Sequence, residues 1–331
     1  MKASFSTVLL AAIVVEAGCP LPKNGYKWKD SGSLATPAHG WTGIKDFSVV
    51  PLDGNNTGKH LVLGSYTNSA GSYSSFQFDP VSDWSQLKTA SQNQMNTATV
   101  APNTFYFTPK KIWVTAQEWG PAQFSYCTSS DPTNPKGWSG LKTLYNSGTP
   151  GSSSSSPIDP ALISDGTNMW LFFGGDNGHV YRTSMPVGQF PGQFPAATSI
   201  LQDSTYNLFE AVQIYKVAGV QQYLLIVECI GSQGRIFRSF TATSLGGTFT
   251  AQSGLSDKPF AGAVNSGSSW SKDVSSGDII RMVNDETMQI DGCNLQLFYQ
   301  GLPAGGSSKS YNLQPWQPGL LTLTNPEPDQ G

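Results

Sequence analysis

Residues 169–182 read Met-Trp-Leu-Phe-Phe-Gly-Gly-Asp-Asn-Gly-His-Val-Tyr-Arg. An apolar run meets Asp176-Asn-Gly and then a second alternating run. That is a strand, a tight turn and a returning strand. The pattern recurs. His60-Leu-Val-Leu-Gly-Ser-Tyr precedes Gly71-Ser-Tyr-Ser-Ser-Phe, and Ile112-Trp-Val-Thr-Ala-Gln-Glu precedes Ala122-Gln-Phe-Ser-Tyr-Cys. Tyr223-Leu-Leu-Ile-Val-Glu-Cys-Ile precedes Arg235-Ile-Phe-Arg-Ser, and Leu295-Gln-Leu-Phe-Tyr-Gln-Gly is a fifth such run. The starts at 60, 112, 169, 223 and 295 give a period of about fifty residues, the signature of a β-propeller. The expected fold is all-β, a five-bladed β-propeller, with a hairpin-rich β-sandwich as the competing architecture.

Composition agrees with an all-β chain. Only 12% of the 331 residues are charged, 11% are aromatic, and Gly, Ser, Thr and Asn are abundant. The formal charge of -3 disfavours nucleic acid or an anionic membrane as partner. Residues 1–17 begin Met1-Lys and run through Thr7-Val-Leu-Leu-Ala-Ala-Ile-Val-Val to small residues, which reads as a secretory signal peptide. Residues 18–331 are then one secreted, extracellular domain. Export permits disulfides. Cys19 and Cys293 lie near the two ends of that domain and are the expected pair, while Cys127 and Cys229 either pair or stay buried thiols. Asn55-Asn-Thr is a glycosylation sequon in a polar turn, which places the acceptor at Asn55. A closed ring leaves few strand edges, so a monomer is expected.

Three acids sit on apolar segments about ten to fifteen residues ahead of a hairpin strand: Asp46, Asp159 and Glu210. In a propeller that distance puts them on innermost strands, converging on the central axis. Two carboxylates flanking a glycosidic bond are the equipment of a glycosidase. Glu210 lies between Phe209 and Ala211, and an apolar setting suits a proton donor. Asp46 follows Lys45, whose charge suits a base, although neighbouring strand residues ordinarily face opposite ways. Asp159 is the third acid, suited to orienting the other two. Asp176 reads as a turn residue. Trp113, Trp119, Tyr311 and Trp316 are candidate sugar-stacking aromatics. The three histidines, His39, His60 and His179, are scattered and lack metal-ligand spacing.

These motifs resemble fungal α-L-arabinofuranosidases of glycoside hydrolase family 62. The resemblance runs through Trp41-Thr-Gly-Ile-Lys-Asp-Phe, Phe107-Thr-Pro-Lys-Lys-Ile-Trp-Val, Pro157-Ile-Asp, Leu171-Phe-Phe-Gly-Gly-Asp-Asn-Gly, Asn207-Leu-Phe-Glu-Ala-Val-Gln and Cys293-Asn-Leu-Gln. It implies an inverting enzyme that removes single arabinofuranosyl groups from arabinoxylan and arabinoxylo-oligosaccharides. Asp46 would be the general base, Glu210 the general acid and Asp159 the residue that tunes and orients. It also implies substrate contacts at Lys45, Trp113, Tyr311 and Asn312. No cofactor is expected to be required. Family members often carry a channel calcium with a histidine ligand in the stretch aligning with Trp270 to Asp278, and this chain has no histidine there. The rival readings are a propeller arabinanase or β-xylosidase of the related family 43, and a non-catalytic glycan-binding propeller.

Overall fold

In the computed structural model, which describes residues 18–327 apart from 153 and 256, the hairpin strands begin at His60, Ile112, Asn168, Gln222 and Gln296. The expected signal peptide, 1–17, lies outside the described residues. Each hairpin strand is bonded to an innermost strand, the described residues form five such sheets, and in the fourth the two-residue strand Gln289–Ile290 also pairs, in parallel, with the innermost strand. The innermost strands are Gly43–Pro51, Val100–Phe107, Ile158–Ser164, Glu210–Val217 and Ser275–Ile279. We number the blades one to five in that order. The first four run outward in chain order. The fifth is built from both ends of the chain: Ser275–Ile279, Gln296–Gly301 and Gln317–Leu323 are covered at the edge by Trp28–Ser33. Closing the ring this way removes an exposed edge. The Cys19–Cys293 disulfide ties the same two regions of the chain. Cys127 and Cys229 lie in the second and fourth blades as buried free thiols.

Aromatic pairs fill the wedges between blades. Phe47 meets Phe298 at 5.1 Å between blades one and five, and Phe124 meets Phe173 at 5.4 Å between two and three. Phe172 meets Phe249 at 5.8 Å beside blade four. All are edge-to-face, the arrangement favoured by the ring quadrupole. Asn55 is exposed in the turn Gly54–Asn56. Among the described residues no helix is long and apolar enough to cross a membrane.

One irregularity recurs in every blade. The pairing of the first strand with the second slips at the same place: between Lys45 and Ser48, Val100 and Asn103, Ile158 and Ala161, Glu210 and Gln213, and Ser275 and Asp278. These are β-bulges, which bend a strand and re-aim its side chains. In four blades the residue after the last regular pair adopts a left-handed backbone: Asp46 (φ 52°), Ala101 (50°), Asp159 (55°) and Ala211 (52°). Asp46 and Asp159 are therefore true equivalents. Glu210 stands one residue earlier, so the three acids expected on innermost strands do not all hold the same position there. In blade four Ala211 takes the bulge position and Glu210 the last paired one.

Candidate active site

The bulges open one end of the channel into a cavity of about 220 Å³. Its walls include Lys45, Asp46, Asp159, Glu210, Tyr311 and Asn312. Six of the seven site residues expected from the sequence thus share one pocket. The seventh, Trp113, does not. It lies near the start of its strand Ile112–Glu118, and Glu118 at the far end reaches the cavity. Five steps at about 3.3 Å separate the two by roughly 16 Å. Trp113 packs against Tyr106 and lines a separate cleft with Asp53, Asp131 and Asn284. The ring at the pocket is Trp119, 47% exposed, which meets Tyr73 edge-on at 5.9 Å. Trp316 lies deeper and is buried, beneath the guanidinium of Arg235.

The bulge changes how Lys45 and Asp46 relate. On a regular strand they would face opposite ways. The left-handed turn at Asp46 brings both into the pocket, with Lys45 Nζ 3.4 Å from Asp46 Oδ2. Burial works against the Lys45 charge, but Asp46, Tyr311, Tyr73 and Glu210 around it prevail and hold the ammonium well above its usual value. The ammonium also lies over the Tyr73 and Tyr311 rings, at 5.1 and 5.0 Å. The Asp46 N–H donates to Gln300 Oε1 of blade five at 2.7 Å.

Glu210 is not set by its chain neighbours, as the sequence led us to expect. Arg235, from the third strand of the same blade, donates through Nη1 to both Glu210 Oε1 and Glu228 Oε1. Glu228 is fully buried opposite Glu210, and its other oxygen accepts from Ser275 Oγ (2.9 Å) and Ser276 N (2.8 Å). Burial first, with Glu210 adding to it, pushes the Glu228 carboxyl up to about 7 against the pull of Arg235.

Asp159 sits among acids. Burial, then Glu118, Glu210 and Asp46, raises its carboxyl well above the usual range. Its N–H donates to Glu118 Oε1 at 2.7 Å, and its Oδ2 accepts the Ala211 N–H at 2.7 Å. Asp159 therefore holds the backbone next to Glu210. Glu118 is pushed up to about 7, chiefly by burial. Asp176 does occupy a hairpin turn, with φ 50°, yet it also lines the pocket, and burial followed by Glu210 lifts it to about 6. Sequence reasoning missed Glu118, Glu228 and Arg235. Glu118 ends a second strand and Glu228 lies three residues before the end of another, on strands that return toward the pocket, and that position was the available signal.

In the stretch Trp270–Asp278, the Asp278 carboxylate does not fit a bound cation. Asp278 accepts from Tyr215 Oη (2.6 Å) and Val49 N (2.8 Å), and the buried Arg281 guanidinium lies 3.9 Å from it. Arg281 Nη2 also donates to Val49 O and Thr104 O, at 2.6 and 2.9 Å. A fixed cation already faces the acceptors there. Among the described residues, no three His, Cys, Asp or Glu side chains are grouped as metal ligands.

Comparison with known proteins agrees with the geometry. The family model "Glycosyl hydrolase family 62" matches residues 27–322. The chain is 36% identical over 315 residues to alpha-L-arabinofuranosidase C of Cellvibrio japonicus, covering 91% of this chain but 48% of that protein. The chain thus spans about half the length of that curated relative. The catalytic domain of the Coprinopsis cinerea GH62 alpha-L-arabinofuranosidase superposes with TM-score 0.84 at 35% identity, covering 92% of this chain and 99% of that domain. A GH62 hydrolase in complex with xylotriose superposes with TM-score 0.82 at 29% identity, covering 90% and 98%.

Proposed function

The chain belongs to glycosyl hydrolase family 62, and from that premise we propose that it is an α-L-arabinofuranosidase that removes single arabinofuranosyl groups from arabinoxylan and arabinoxylo-oligosaccharides by inversion. The observation that carries this reading is the pocket itself. Asp46, Asp159 and Glu210 meet in a cavity of about 220 Å³, with the exposed rings of Trp119 and Tyr311 at its walls. A small cavity of that kind suits one terminal sugar; a chain-cutting enzyme needs an open cleft. The xylotriose bound by a family relative is the backbone chemistry that aromatic rings at the mouth would hold.

In this mechanism water attacks the anomeric carbon of the arabinose, and the bond to the xylose oxygen breaks. Asp46 takes the proton from the water while Glu210 gives one to the departing oxygen. The Lys45 ammonium, 3.4 Å from Asp46 Oδ2, holds the base in the pocket. Glu210 and Glu228 share one guanidinium, so the three groups are neutral overall when the two carboxyls hold a single proton. Glu210 is the member of this unit that lines the pocket, so it is the one placed to hand a proton to the leaving oxygen. Asp159 fixes the backbone of the donor through the Ala211 N–H. Inversion calls for about 6.5–9.5 Å between acid and base, enough for the water. No step calls for a cofactor, and the enzyme acts as a secreted monomer.

The test is Glu210→Gln acting on arabinoxylan. The variant should melt as wild type does and release arabinose about 10²- to 10⁴-fold more slowly. Near-normal release removes Glu210 from the acid role.

A further inference from the structure

The hydrogen bonds to the five bulges form a ring. The residue on each second strand that faces the last regular pair of its own blade is Ser65, Glu118, Gly174, Glu228 or Gln300. Around the channel, each such side chain receives the bulge N–H of the following blade. Gln300 takes Asp46 N (2.7 Å), Ser65 takes Ala101 N (3.0 Å), Glu118 takes Asp159 N (2.7 Å) and Glu228 takes Ser276 N (2.8 Å). Only Gly174 has no side chain to offer, and there the Asp159 carboxylate reaches across to Ala211 N. Ala211 directly follows Glu210, so all three reacting or orienting acids are tied into the ring.

We propose that Gln300 and Glu118 are positioning residues of the reaction: each receives the bulge N–H of the next blade and thereby sets the direction in which Asp46 or Asp159 enters the pocket. This rests on the catalytic reading above. A left-handed bulge residue has its Cβ direction set by its own backbone, and a buried N–H needs an acceptor. Removing the acceptor lets the peptide turn and the carboxylate with it. A misplacement of about 1 Å can cost about 10²-fold in rate. Ser65 is the built-in control. It makes the same bond, but the residue it holds, Ala101, carries no functional group.

The experiment compares Gln300→Ala, Glu118→Ala, Glu118→Gln and Ser65→Ala with wild type, by thermal melting and by kcat and KM on an aryl α-L-arabinofuranoside. All three alanine variants should melt lower. Gln300→Ala and Glu118→Ala should lose about 10- to 100-fold in kcat with KM within about threefold, the split expected when geometry rather than binding is lost. Ser65→Ala should keep kcat within about threefold, and Glu118→Gln, which retains the accepting oxygen, should recover most of the Glu118→Ala loss. The proposal is overturned if Gln300→Ala keeps normal kcat, if Ser65→Ala loses as much as Gln300→Ala, or if Glu118→Gln is as slow as Glu118→Ala. Should Glu118→Ala fail to fold, the pair Gln300→Ala and Ser65→Ala decides alone. Wild-type protein that releases no arabinose overturns the catalytic reading, and the positioning claim with it.

Discussion

Asp46 and Lys45 enter the pocket together because one residue has a positive φ. Period-two reasoning treats neighbours on a strand as facing apart, and nothing in Ile44-Lys-Asp-Phe marks the bulge that breaks the rule. Trp113 misled for a related reason. Its strand returns toward the pocket, so the tryptophan that lines the pocket follows the strand's end, at Trp119. Glu118, one residue before it, has a consequence for stability. It ionises near 4.5 in the unfolded chain and near about 7 when buried. The folded protein therefore holds the extra proton across that interval, and stability falls as pH rises through it, levelling off above it. Glu228 and Asp159 shift the same way. Glu118→Gln removes one contribution, so calorimetric melting of the variant should decline less steeply between pH 4.5 and about 7 than wild type. Parallel slopes would contradict the buried, protonated Glu118.

At the scale of the strand, the bulge is a shared device and not a local accident. Each innermost strand carries it at the same place, and a second layer of cross-blade bonds lies beneath it. Thr104 N donates to Ser48 Oγ, Leu162 N to Asn103 Oδ1, Val49 N to Asp278 Oδ2 and Ile279 N to Tyr215 Oη. Tyr215 also donates to Asp278 Oδ1 at 2.6 Å and is fully buried. Tyr215→Phe leaves Ile279 N–H without its acceptor, and a buried unpaired donor costs about 1–3 kcal/mol. Denaturant unfolding should report a loss of that size, with kcat unchanged. A loss of activity without a loss of stability would contradict a purely structural role for this layer.

For the molecule as a whole, the hairpin period was readable because each blade must bury an apolar second strand, and the run starting at His60 or Ile112 says so within its own residues. Of the six expected site residues that share the pocket, Asp46, Asp159 and Glu210 were readable from their spacing ahead of the hairpin strands, while Lys45, Tyr311 and Asn312 were implied by the family resemblance. The ring of acceptors was not readable. Glu118, Glu228 and Gln300 act on blades other than their own, and a relation between blades leaves no local pattern. Ring closure is likewise non-local: Trp28–Ser33 pairs with Gln317–Leu323 nearly three hundred residues away. That closure makes the channel, the channel's bulged end makes the pocket, and the pocket is where arabinose would be released. Proton NMR of the protein acting on wheat arabinoxylan tests that chemistry most directly. Free β-arabinofuranose should appear first, with the xylan backbone uncut. The α anomer appearing first would contradict inversion, and shortened xylan without arabinose would contradict the arabinofuranosidase itself.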